Sequence, residues 1–191
     1  MTGRELIDEV QMLLADTGRG RRTSARAFDR EDIADQLSIC QVSACELLMQ
    51  MPVPAPITLS KLVTTGAANG GVIGIAVPNN YWKLICGYVA ATGKYIQMEE
   101  PKYGESVGTL IGNRIWAVGG RFFGTADTAV YYKRPDKIED TGAALETFPD
   151  AFYATIKFAA ARDMLSRQGR EGYDRMLKFH KEFLTSLATL G

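Results

Sequence analysis

Met51-Pro52-Val53-Pro54-Ala55-Pro56-Ile57 separates two unlike kinds of chain. Three alternating prolines remove amide donors and restrict the residue before each, so no helix continues through them. Upstream, hydrophobic residues recur at helical spacing. Downstream, Gly, Val, Ile, Thr and Tyr predominate and turn signals come every few residues, which predicts short strands.

Back from that boundary, Asp29 is placed to cap a helix in which Ile33, Leu37, Cys40, Ala44, Leu47 and Met51 alternate steps of four and three. This spacing gives a narrow apolar seam for a partner helix. Earlier still, Thr2 and Glu5 make a capping box, and Leu6, Val10, Leu13 and Leu14 line one face of a shorter helix reaching Asp16. Residues 17–28 form an Arg-rich loop between the two.

Forward of the prolines, turn signals at 66–71, 78–80, 92–93, 112–113 and 119–120 delimit antiparallel strands near 57–65, 72–77, 81–91, 94–98, 114–118 and 127–133. The connections are too short for βαβ crossovers. Helix resumes at Phe148-Pro149-Asp150, where proline suits a first turn, and Phe152, Ile156, Ala159, Ala160 and Met164 form its apolar face. Gly169 and Gly172 interrupt it, after which Tyr173, Leu177, His180, Leu184 and Leu187 make another four-three seam. The expected fold class is α+β, with terminal helices (1–51 and 149–191) packed as a bundle and an antiparallel β subdomain inserted at about 57–135. Leu37 and Leu184 are expected on the two buried seams.

The 191 residues fit a single domain with an ordinary core, and 46% hydrophobic with 23% charged residues excludes disordered, collagenous and disulfide-scaffold classes. The 22 basic and 22 acidic side chains cancel, so no global field draws the chain onto nucleic acid or an anionic membrane. Cys40, Cys45 and Cys86 form no C-x-x-C pair, and Cys40 and Cys45 stand about 140° apart on a helix, so a reducing compartment is expected. No stretch reaches the ~18 apolar residues of a membrane span. A non-membrane protein is expected.

The sequence offers little for catalysis. His180 is the only histidine, so multi-histidine metal sites and H-E-x-x-H are absent, and its seam position favours packing over chemistry. There is no G-x-S-x-G elbow. The glycines of 66–74 lack the Lys and Ser/Thr of a phosphate loop and run into an apparent strand, which predicts a hairpin loop. Glu99-Glu100 and the group Asp136, Glu139 and Asp140 are expected to be solvated surface. No catalytic residue, cofactor or metal is assigned. The one local charge anomaly is Arg19, Arg21, Arg22 and Arg26, with no acidic residue between 17 and 28. Their guanidinium forks suit carboxylate or phosphate on a partner, so these four are the candidate partner-binding residues. The alternative is a solvated loop whose charge is offset by Asp16, Asp29, Glu31 and Asp32.

The succession of motifs resembles the head-to-tail adaptor, or connector, proteins of tailed bacteriophages. Glu5-Leu6-Ile7 through Leu13-Leu14-Ala15-Asp16 is similar to the family's first helix, which ends in Leu-Leu-Gly-Asp. Gly112-Asn113-Arg114-Ile115 and Tyr131-Tyr132-Lys133-Arg134-Pro135 are similar to its two late strands. Phe148-Pro149-Asp150-Ala151-Phe152 resembles the Leu-Pro-Asp-x-Phe that opens its third helix, continued here by Ala159-Ala160-Ala161-Arg162. The chain departs from that pattern at Ser38-Ile39-Cys40 and in a longer strand block. The resemblance implies a virion structural protein without catalysis, assembled in the host cytoplasm and placed at the head-tail junction. It implies a ring, typically of 12 subunits, between the portal protein and a tail component (nozzle, stopper or tube protein), encircling DNA without sequence-specific binding. Other readings are another neck or tail-completion protein, or a small nucleic-acid-binding module using the 19–26 loop.

Overall fold

The expected capping box at the start of the chain forms: Glu5 N donates to Thr2 Oγ1 at 3.2 Å, and Thr2 N donates to Glu5 Oε2 at 2.8 Å. It opens α1 (Gly3–Ala15), whose Leu6, Ile7 and Val10 are buried. The computed structural model describes residues 1–15, 28–50, 57–68, 71–98, 114–167 and 173–190. Asp29 caps α2 (Arg30–Met49) as its spacing predicts, accepting from Asp32 N at 2.7 Å. The last helices are α3 (Asp150–Ser166) and α4 (Tyr173–Ala188). Pro149 is the N-cap of α3 rather than a residue of its first turn, and its carbonyl accepts from Phe152 N.

The chain divides into two compact units, Met1–Lys61 with Pro135–Gly191, and Leu62–Arg134. In the helical unit α3 packs against α1, α2 and α4. Phe152, Tyr153, Thr155, Ile156, Ala159, Ala160, Ala161, Met164 and Leu165 are all buried. The three consecutive alanines alone span about 200° of the helix circumference, so more than half of α3 is covered at that level. Their small side chains let neighbouring helices approach closely. The α2 seam is wider than expected, since Ala34, Gln36, Gln41 and Cys45 join Ile33, Leu37, Cys40 and Ala44 in burial. Among the described residues it ends on Leu48, while Leu47 is 41% exposed and Met51 lies outside them.

The seam of α4 is rotated by one residue from the expected one. Phe179, Phe183 and Leu187 are buried, whereas Leu177 and Leu184 are 46% and 47% exposed. Two phenylalanines bury more apolar area than two leucines, and the face that carries them turns inward. Phe179 stacks on Phe158 and joins Ala161 and Leu165, with Leu13 and Leu14 packed alongside.

The returning segment after the insertion is tied to both early helices. Ser38 Oγ donates to Ala34 O and accepts from Ile138 N, both at 2.9 Å, and Gln41 Nε2 donates to Asp136 O at 2.8 Å. Arg4 N donates to Thr141 O and Leu145 N to Met1 O, beside a bridge between Thr2 and Ala144. A side chain at Gly3 would run into the Glu139 carbonyl, so this crossing requires glycine.

Among its described residues the second unit has seven strands in two antiparallel sheets. β1 (Val63–Ala67), β7 (Thr128–Lys133), β3 (Tyr81–Val89) and β4 (Lys94–Gln97) lie in that order in one sheet; β2 (Gly71–Ala76), β6 (Arg121–Gly124) and β5 (Ile115–Val118) make the other. Leu84, Ile96, Ala129 and Tyr131 of the first sheet share a core with Ile115 and Phe122 of the second. Gly87 of β3 lies against the connection between β6 and β7, as a Cβ there would stand 2.6 Å from that of Ala126. Three expectations are corrected. Ile57–Leu62 is a 3-10 helix, so β1 begins later than expected. Residues 121–124 form a strand that the expected set omits, paired to β5 through Gly119 and Gly120, both at positive φ as a tight hairpin requires. The glycines after β1 do not close a hairpin, because β1 pairs with β7 and β2 with β6, and the chain changes sheet there.

These packings predict unequal costs along α4. Phe183→Ala should lower stability by ~3–5 kcal/mol and Leu37→Ala by ~2–5 kcal/mol. Leu184→Ala should stay within about 0.5 kcal/mol of the parent, since its side chain is half in water. Urea unfolding midpoints measure all three. Equal losses at 183 and 184 would contradict the rotated seam.

Candidate functional site

Arg19, Arg21, Arg22 and Arg26 lie outside the described residues. Their flanks are described: α1 ends at Ala15, and the Asp29 carboxylate, expected to offset the loop's charge, is engaged in capping α2. Glu99 and Glu100 also lie outside the described residues.

Of the carboxylates expected to be solvated surface, Asp140 is a structural partner instead. It receives Arg30 in a two-pronged contact, Nε to Oδ2 at 2.5 Å and Nη2 to Oδ1 at 3.0 Å, while Arg30 Nη1 reaches Asp8 Oδ1 at 2.6 Å and Gln11 Oε1 at 2.9 Å. Arg4 stands 3.6 Å from the same carboxylate. One guanidinium thus joins α1, α2 and the returning segment, a use of planar geometry that lysine could not reproduce. The hydrogen bonds from Arg30, helped by its charge and that of Arg4, hold the Asp140 carboxyl below its ordinary 3.8. Sequence spacing carries no sign of the pair, whose members are 110 residues apart.

A second polar chain crosses α4, α3 and α2. Arg162 Nη1 meets His180 Nδ1 at 2.6 Å, and Arg162 Nε donates to Asp163 Oδ1 at 2.6 Å. Gln36 Nε2 donates to Asp163 Oδ2 at 3.2 Å and Arg167 Nη2 donates to Gln36 Oε1 at 2.7 Å. Cys40 Sγ lies 3.6 Å from the same Asp163 oxygen. Because a guanidinium only donates, His180 Nδ1 accepts and the imidazole carries its proton on Nε2. Its bonded partner is therefore a cation rather than the carboxylate of a triad. Burial is the main reason the Cys40 thiol is pushed up to about 12, so it stays protonated and does not act as a thiolate nucleophile near neutrality. Cys45, also buried, is likewise pushed up to about 12. All three cysteines are free. The signal for this cluster was present in Gln36, a polar side chain one turn before Cys40 inside an apolar seam.

A cleft of about 340 Å³ opens beside α2 and the returning segment, lined by Gln41, Asp136, Lys137, Glu146, Thr147 and Tyr153 among others. The Gln41 amide is already spent on Asp136 O, and burial pushes the Tyr153 phenol up to about 12, so it stays neutral. Among the described residues no group of three or more His, Cys, Asp or Glu is placed to hold a metal ion. Among them, too, no helix is long and apolar enough to cross a membrane. No protein-family model matches the chain, and no curated protein matches it.

Two measurements follow from these groups. A carboxyl held low in the fold stabilises it fully above the unfolded value and loses that contribution as pH falls through the folded one. Stability should therefore drop below pH 3.8, with part of the drop absent in Asp140→Asn, which should also be less stable at neutral pH. Denaturant midpoints at about pH 6 and about pH 3 give the comparison, and parallel losses in both proteins would detach Asp140 from the acid response. For the thiols, Cys40 and Cys45 should resist a disulfide reagent at about pH 8 in the folded chain and react fully in denaturant. Prompt native labelling at either would contradict their burial.

Proposed function

We propose that this protein is a structural component of a tailed-phage head-tail junction, a ring adaptor that docks on the portal and receives a tail component. What carries the reading is that short motifs of the resemblance fall at element boundaries. Leu13-Leu14-Ala15 closes α1, Tyr131-Tyr132-Lys133 closes β7 with Arg134 ending the strand unit, and Pro149 caps α3 ahead of Phe152. Motifs placed where the chain changes structure support the resemblance more than motifs within loops would.

The architecture supports the same reading. A ring subunit needs a rigid body and separate surfaces for neighbours and for the parts above and below it. Here a helical unit tied by Arg30 and Arg162 is joined to a compact β unit, and each carries its own exposed apolar residues: Ile39, Leu177 and Leu184 in the first, Ile73, Tyr95 and Val118 in the second. Net neutrality suits a sleeve through which DNA passes, because a densely basic lining would add phosphate contacts and strong counterion-release binding. Arg19, Arg21, Arg22 and Arg26 are the proposed portal-facing or tail-facing contacts.

Titration against purified portal, weighed by native mass spectrometry, tests this. Weak side contacts aligned by a template act together through high effective concentration, so full rings with few partial occupants are expected. Replacing Arg19, Arg21 and Arg22 with Ser should weaken docking and leave stability within about 1 kcal/mol. Binding to a tail tube but no portal would make the chain a neck or tail-completion protein. Affinity for free duplex that falls steeply with salt, without portal binding, would make it a nucleic-acid-binding module.

A further inference from the structure

The helical unit leaves two apolar stripes uncovered, on different helices and of opposite charge. On α2, Ile39 and Leu47 are 55% and 41% exposed. Asp32, Asp35, Ser43 and Glu46 are exposed with them, and at 100° per residue all six fall within about 120° of the helix circumference. On α4, Leu177 and Leu184 share a comparable arc with exposed Asp174, Lys178, Lys181 and Thr185. One stripe thus carries three carboxylates and no cation, the other two lysines and one carboxylate. Lys178 reaches Glu182 along its own helix at 3.8 Å, a loose exposed pair. Among the described residues Asp32, Asp35, Glu46 and Lys181 have no ion-pair partner.

The apolar residues match in spacing as well. Ile39 and Leu47 are eight residues apart, about 12 Å along the axis, and Leu177 and Leu184 are seven apart, about 10.5 Å. Both leucines can therefore seat on the α2 pair at once. We infer that the α4 stripe of one copy of this chain docks on the α2 stripe of the next, a head-to-tail contact between copies. Charge selects this pairing: α2 against α2 would oppose carboxylate to carboxylate, while α2 against α4 opposes carboxylate to ammonium. A contact between two different surfaces is heterologous, and it propagates until it closes. The inference deepens the ring reading and rests on it in taking a second copy as the partner. The stripes are small, so one contact alone is weak and closure or a template adds to it.

The test uses the full chain without portal, measured by sedimentation velocity and native mass spectrometry over rising concentration. Asp35→Lys/Glu46→Lys makes both stripes basic, and Lys178→Glu/Lys181→Glu makes both acidic. Each variant alone should self-associate about tenfold more weakly than the parent or worse. An equimolar mixture should recover association, since each basic stripe then meets an acidic one, and unchanged thermal melts would show that the fold is intact. As a second readout, Leu177→Ser/Leu184→Ser mixed with Ile39→Ser/Leu47→Ser leaves one intact contact per pair and should stop at the heterodimer. Parent-like association of the charge variants, or no recovery on mixing, overturns the contact, as does a parent that stays monomeric throughout. Adding portal separates the two proposals. Normal rings from each charge variant alone overturn this contact and leave the junction reading standing; recovery on mixing in a protein that ignores portal supports the contact and removes the junction reading.

Discussion

Burial of most of the circumference of α3 is the constraint on which the helical unit depends. A helix with one apolar stripe can rest on a single neighbour, but one with Ala159, Ala160 and Ala161 all buried must be enclosed. The enclosure comes from α1, α2 and α4, brought together from the two ends of the chain. This explains why a sequence interrupted by the whole strand unit, Leu62–Arg134, can still make one helical body: neither terminal segment satisfies α3 without the other. The alanines also limit what can change there, because a larger side chain would push helices apart in a closely packed interior.

Enclosure alone would leave the helices free to slide, and the polar chains oppose that. Arg162 and Asp163 are adjacent on α3 yet reach α4 through His180 and α2 through Gln36, so sliding either neighbour by a turn would strand a half-buried charge. Arg30 does the same for α1, α2 and the returning segment. Ser38 and Cys40, where the sequence departs from the adaptor pattern, belong to these ties: Ser38 holds Ile138 N and Cys40 borders Asp163.

The elements that were legible in the sequence are those with local causes. α2 ends at Met49, just ahead of the prolines in the sequence, Thr2 with Glu5 starts α1, Asp29 starts α2, and paired glycines turn β5 into β6. What was not legible depends on distant partners. The seam of α4 has two candidate faces one residue apart, and the choice between Leu177 with Leu184 and Phe179 with Phe183 is made by what α3 presents, namely Phe158, Ala161 and Leu165. Residues 121–124 are short for a strand and gain their identity from pairing on both sides, with β5 and with β2. Asp140 read as surface because its partner lies 110 residues away. The cluster of Arg162, Asp163, Gln36 and His180 was visible only as a glutamine out of pattern.

The misread seam also bears on function. A helix whose two candidate faces are both apolar buries one and leaves the other in water, and Leu177 with Leu184 is what remains outside on α4. Scattered exposed leucines need no explanation, but two on one line with two lysines beside them form a surface of definite shape and sign. The same holds on α2, where the alternation that buries Leu48 leaves Ile39 and Leu47 among carboxylates. α2 and α4 thus each have an inner face that completes the unit and an outer face unlike that of the other. Unlike faces on one rigid body cannot satisfy each other within the chain, and like faces of two chains repel. The arrangement favours contacts that run in one direction from copy to copy, which is the geometry that a ring requires.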